Sequence, residues 1–176
     1  MRFFTLITLF FFLSCNNENV NPIERVLSSN NPKIKTVVDA IENHEVQILF
    51  TEVKRKDDSI YFEDHSFQVD DNTYFYPAST VKFPIVILAL EKISTNNLID
   101  RNTIFNVEDD STKTTVSKAI KKIFAVSDNA AYNRLFEYLG KDYINKKLQE
   151  KGVNARISHR LSVDNSADLK TKPLNF

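Results

Sequence analysis

Tyr76-Pro77-Ala78-Ser79-Thr80-Val81-Lys82-Phe83-Pro84 is the stretch from which the rest of this chain can be read. Pro77 ends whatever precedes it, because its ring fixes φ and removes a backbone donor. Beyond it, Phe83, Ile85, Val86, Ile87, Leu88, Ala89, Leu90 and Ile93 make a helix apolar almost all round, and such a helix belongs in a core. Ser79 then falls in the first turn, where N–H groups lack intrahelical partners and the helix dipole is positive. A carbonyl attacked by the Ser79 hydroxyl would develop its negative charge near those donors, and preorganised donors of this kind are worth about 3–4 kcal/mol each in acyl transfer. Lys82 follows at i+3 on the same face, placed to take the serine proton. The bland alternative is a serine N-cap beside a lysine whose stem runs along a core helix. Chance alone supplies on the order of one Ser-x-x-Lys in a chain of this composition, so the pair needs a second motif.

Ser127-Asp128-Asn129 is that motif. Ahead of it, Val116, Ala119, Ile120, Ile123 and Phe124 repeat at i, i+3, i+4, i+7 and i+8; after it come Ala131, Leu135 and Phe136. Both runs have helical period, so the triplet sits on a short connection between two packed helices. A polar connection on a rigid scaffold can present a second hydroxyl and an amide to a cleft. Its plain reading is an N-cap, with Ser127 or Asp128 satisfying the first N–H groups of the next helix.

Together the two motifs resemble those of the active-site serine penicillin-binding proteins and β-lactamases, most closely class A β-lactamases. The resemblance implies an α+β fold of the β-lactamase/transpeptidase type, a helical domain packed against a mostly antiparallel sheet. It also implies an acyl-enzyme mechanism in which Ser79 is the nucleophile and Lys82 its general base. Ser127 would pass the proton toward the departing lactam nitrogen, Asn129 would hydrogen-bond the substrate's side-chain amide, and Asp128 would brace the loop. The Ser79 N–H would form half of an oxyanion hole. The activity implied is β-lactam hydrolysis. A penicillin-binding D-Ala-D-Ala peptidase acting on peptidoglycan, or a non-catalytic envelope lipoprotein of the same fold, shares the motifs and is the alternative.

The C-terminal side departs from the family pattern. The third motif, a Lys-Thr-Gly or Lys-Ser-Gly on a strand lining the cleft, is absent: the glycines are Gly140 and Gly152, and Lys170-Thr171-Lys172 lacks one. No glutamate follows Glu150 to activate the water that removes the acyl group in class A enzymes. Asp164 and Asp168 lie nearby and read as solvated loop residues. Arg156 to Ser162 resembles a branch of class A-like hydrolases in which this loop diverges.

At the other end, Arg2 precedes an apolar run from Phe3 to Leu13, too short to span a bilayer as a helix, and Ser14 precedes Cys15, the single cysteine. This reads as an export signal over residues 1–15 ending in a lipoprotein-type box, with Cys15 the lipidated residue. A polar, asparagine-rich tether over residues 16–31 would follow. Residues 32–176 would be the catalytic domain, about 145 residues against the ~250 that two-part enzyme folds commonly reach. The expectation is therefore an N-terminal portion lacking the later strands and closing helix, in a monomeric, membrane-anchored or periplasmic protein of a bacterial envelope. Within it, Asn31-Pro32 should open a helix with Ile34, Val37, Val38 and Ile41 on one face. Val46–Val53 and Ser59–Phe62 should form a hairpin around Lys54–Asp58. Further helices should start at Ser79, Thr115, Asn129 and Asp142.

Lysine plus arginine balance aspartate plus glutamate at 23 each, which leaves no electrostatic footprint for nucleic acid. Lys118, Lys121 and Lys122 fall on the polar face of their helix. His44, His65 and His159 have no metal-ligand spacing. No phosphate loop or cofactor fingerprint occurs, and no cofactor is expected.

Overall fold

The computed structural model describes residues 21–168 and 170–176. The expected export signal and lipidated Cys15 lie outside the described residues. The chain divides into two compact units, one ending at Thr73 and one running from Tyr74 to Phe176.

The first unit opens with two capped helices. Asn21 accepts a hydrogen bond from Ile23 N at 2.9 Å and Pro22 takes the first position of α1 (Pro22–Leu27). Asn31 does the same for Lys33 N at 3.0 Å ahead of Pro32 in α2 (Pro32–Val38). Proline at this position gives up a donor that would have no partner anyway. The expected helix from Pro32 is shorter than its apolar spacing suggested: Ile41 belongs to a separate 3₁₀ turn, Ile41–Asn43. The hairpin is β1 (Ile48–Lys56) paired antiparallel with β2 (Ser59–Phe67). Its strands run past the expected boundaries, because Lys56 pairs with Ser59 and leaves Asp57-Asp58 as the whole turn. Asp57 takes φ 53° there, a conformation that aspartate tolerates better than most residues. Lys54 belongs to the strand and not to the turn, since its ammonium bridges Glu52 and Glu63 on the same face.

The second unit is helical. α3 (Lys82–Ser94), α4 (Val116–Val126), α5 (Asn129–Leu139) and α6 (Lys141–Glu150) follow, with β3 (Asn106–Val107) paired antiparallel to β4 (Leu174–Asn175). The elements make the chain α+β, as the motifs implied. Its core gathers Ile85, Leu88 and Ala89 of α3, Ala119 and Ile123 of α4, Leu135 and Phe136 of α5, and Ile144 of α6. Each fully buried large aliphatic or aromatic side chain contributes about 1.5–3 kcal/mol of transfer free energy. α3 proves two-faced and not buried all round: Phe83, Ile87 and Leu90 are exposed on the side away from that core. Gly140 at φ 83° ends α5 and opens α6 with no residue between, a turn that a Cβ would strain. Among the described residues no helix is long and apolar enough to cross a membrane.

Candidate active site

Ser79 lies in a 3₁₀ turn, Ala78–Val81, that runs directly into α3. The turn is entered through Ala78 at φ 46°, a left-handed backbone that costs a non-glycine residue about 1–2 kcal/mol. Among the described residues the Ser79 N–H makes no backbone hydrogen bond, so a donor stands free beside the hydroxyl. Lys82 is the first residue of α3 and is 3 % exposed. A buried ammonium must place all its donors, and Lys82 Nζ has three acceptors: Ser127 Oγ at 2.9 Å, Ser79 Oγ at 3.4 Å and the Ser127 carbonyl.

Ser127 reaches this point because α4 must stop there. Its backbone is left-handed, φ 54°, and its N–H closes the helix on Ile123 O at 2.9 Å. Its Oγ lies 3.0 Å from Ser79 Oγ. Asp128 is the N-cap of α5 and accepts from Ala131 N at 2.8 Å. Asp128 therefore has the plain capping role at the start of α5. Asn129 opens α5 and donates from Nδ2 to Ser162 Oγ at 2.8 Å. The fold therefore brings Ser79, Lys82 and Ser127 into one hydrogen-bonded cluster. Asp128 and Asn129 stand on the same connection, with Asn129 engaged by the loop opposite.

That loop is held by residues the motifs did not single out. The described residues between Lys151 and Pro173 form no helix or strand, yet α5 and α6 grip them at several points. Asn133 donates to Leu161 O at 2.9 Å and accepts from Leu161 N at 2.7 Å; Asn145 exchanges the same two bonds with Ile157 at 2.9 and 3.0 Å. The Tyr132 hydroxyl donates to His159 O at 3.0 Å, and burial pushes its pKa up. Arg160 pairs with Glu137, each side chain 6 % exposed. Arg160 also donates to Asn165 O and Lys170 O, while Glu137 accepts from Lys172 N at 2.8 Å. The one sequence signal for this clamp was Glu137, a carboxylate set between Phe136 and Tyr138 in an otherwise apolar helix end.

The remaining candidates have other placements. Lys170-Thr171-Lys172 serves the clamp through its backbone, with Lys172 Nζ also 3.2 Å from Asp109. Asp164 and Asp168 are exposed. His65 lies on β2, 3.2 Å from Glu52, and His44 is exposed. His159 is exposed, with Nδ1 2.9 Å from Ser158 Oγ. Among the described residues no group of three or more His, Cys, Asp or Glu side chains could hold a metal ion. An opening of about 500 Å³ is bounded by Pro77, Ala78 and Val81 at the nucleophile turn and by Ser158, His159 and Ser162 of the loop, and Ser79, Lys82 and Ser127 do not line it.

A hydroxyl on a helix-leading turn, bonded to a buried lysine and to a second hydroxyl, is an arrangement for acyl transfer. Residues 31–173 match the sequence model of the β-lactamase enzyme family, Beta-lactamase2, and the chain belongs to that family. At the level of the family it is a β-lactamase-like serine hydrolase. No curated protein and no solved structure matches the chain.

Proposed function

We propose that this protein opens β-lactams through an acyl-enzyme on Ser79. The observation that carries the reading is the cluster of Ser79 Oγ, Lys82 Nζ and Ser127 Oγ, with contacts of 2.9 to 3.4 Å. In its amine form Lys82 accepts the Ser79 proton as Oγ bonds to the lactam carbonyl carbon. The free Ser79 N–H supports the developing oxyanion. Ser127, bonded to both partners, delivers a proton to the ring nitrogen as the C–N bond breaks, and draws its replacement from Lys82. Asn129 receives the substrate's side-chain amide, which requires its bond to Ser162 to be exchanged for one to the substrate. Asp128 holds the start of α5 and, through it, the direction of Asn129.

A chromogenic β-lactam tests this on the full-length protein. Steady hydrolysis with a transient covalent adduct on Ser79, found by mass spectrometry, is the expected result. Ser79→Ala should abolish both. An adduct that persists in Ser79→Ala would remove Ser79 as the nucleophile. A stoichiometric burst followed by a stable Ser79 adduct would instead favour a penicillin-binding peptidase.

A further inference from the structure

We infer that the opening between the nucleophile turn and the loop is a binding site for a small aromatic carboxylate, taken by Arg156 and by the rings of Tyr74 and Tyr76. Its volume, about 500 Å³, is in the range of pockets that enclose small organic ligands. The charges in its walls do not balance. Arg156 and Arg160 line it, and no aspartate or glutamate does. Arg160 is answered from behind the wall by Glu137 and by the carbonyls of Asn165 and Lys170. Arg156 has no such answer. Among the described residues the arginines in ion pairs are Arg134 and Arg160, and Arg156, which is exposed, makes no side-chain hydrogen bond. A guanidinium carries five donors in one plane and no acceptor, so it matches an anion with two oxygens side by side. One uncompensated positive charge suits a singly charged carboxylate.

Several other polar side chains of the walls already have partners within the protein. The Tyr132 hydroxyl donates to His159 O, Ser158 Oγ meets His159 Nδ1, and Ser162 Oγ accepts from Asn129. Tyr74 and Tyr76 differ: both are largely exposed, and among the described residues neither hydroxyl makes a hydrogen bond. Their rings give a planar guest faces and edges to pack against, while Val81, Ile157 and Leu161 supply an apolar wall continuous with the core. The two sides are set before any ligand arrives. One is the turn that leads into α3; the other is fixed by Asn145, which exchanges two bonds with Ile157 directly after Arg156, and by Asn133 on Leu161. Because Ser79, Lys82 and Ser127 do not line the opening, this site stands independently of the acyl-enzyme reading.

Benzoate is the probe, with benzamide as its uncharged counterpart and acetate as the carboxylate without a ring. Each is titrated into the full-length protein by calorimetry, and amide NMR shifts locate the contact. The expected result is saturable binding of one benzoate, with shifts centred on residues 74–81 and 156–166. Losing the charge-assisted bonds should weaken binding about 10–100-fold, whether by replacing benzoate with benzamide or by Arg156→Gln. Acetate on the parent, and benzoate on a variant carrying Tyr74→Ala and Tyr76→Ala, should each bind about tenfold more weakly than benzoate on the parent. Arg156 bonds no other described side chain, so Arg156→Gln should keep the parent's circular dichroism. Ser79→Ala should bind benzoate as the parent does. Absence of benzoate binding overturns the inference, as does equal affinity for benzamide, for acetate or in Arg156→Gln. Loss of binding in Ser79→Ala would put the probe at the Ser79 cluster and overturns it too. Whether Ser79 is acylated is read separately, by the adduct on Ser79.

Discussion

Ala78 holds φ 46° immediately before the nucleophile candidate, and nothing in the residue types around it announces that strain. Its Cβ pays the left-handed penalty of about 1–2 kcal/mol, while glycine would remove the penalty and give back about 0.5–1 kcal/mol in chain entropy. Ala78→Gly should therefore leave stability within about 1 kcal/mol of the parent. Ala78→Val, whose branched Cβ fits this region worse, should destabilise by about 1–3 kcal/mol. Urea midpoints compare the two, and a stable Ala78→Val would show that the turn relaxes. Ser79, Lys82 and Ser127 were legible as residues because motif and spacing name them. The strain at Ala78 and Ser127 was not, since backbone sign depends on how two helices meet and not on the side chain that sits between them.

Asp128 shows how one contact acts on a whole element. It accepts from Ala131 N at 2.8 Å and fixes where α5 begins, and with it the position of Asn129, the first residue of that helix. Asp128→Ala should cost about 1 kcal/mol, and Asp128→Asn much less, because asparagine caps as well as aspartate. Chemical denaturation of both variants reads this directly; an equal loss in both would show that charge, not capping, carries the effect. Caps, prolines and glycines were visible along the chain because they act within four residues. Strand ends were less so. Lys54 reads as a turn residue by composition and is a strand residue in fact, since its partners Glu52 and Glu63 lie on the same face of the hairpin. α3 reads as apolar all round, yet the helices of its unit cover one side of it only.

Across the whole helical unit, Glu137 and Arg160 tie the long irregular loop to the C-terminal end of α5. Breaking a buried pair leaves the other charge without compensation and costs about 3–5 kcal/mol. Glu137→Gln should lose stability of that order in urea unfolding and should speed proteolytic nicking of the loop. A variant as stable and as resistant as the parent would mean that Arg160 is satisfied by Asn165 O and Lys170 O alone. Helix periods, caps and the two motifs follow from residues a few positions apart, where propensity and hydrogen-bond chemistry act locally, and the α+β class came through the family that the motifs resemble. The meeting of Ser127 with Ser79, 48 residues away and 3.0 Å distant, follows from the packing of α3, α4 and α5 around a shared core. So do the burial of Lys82 and the placing of His159 on the opening beside the nucleophile turn, because contacts between distant segments are set by which apolar faces pack together and not by any local run of residues.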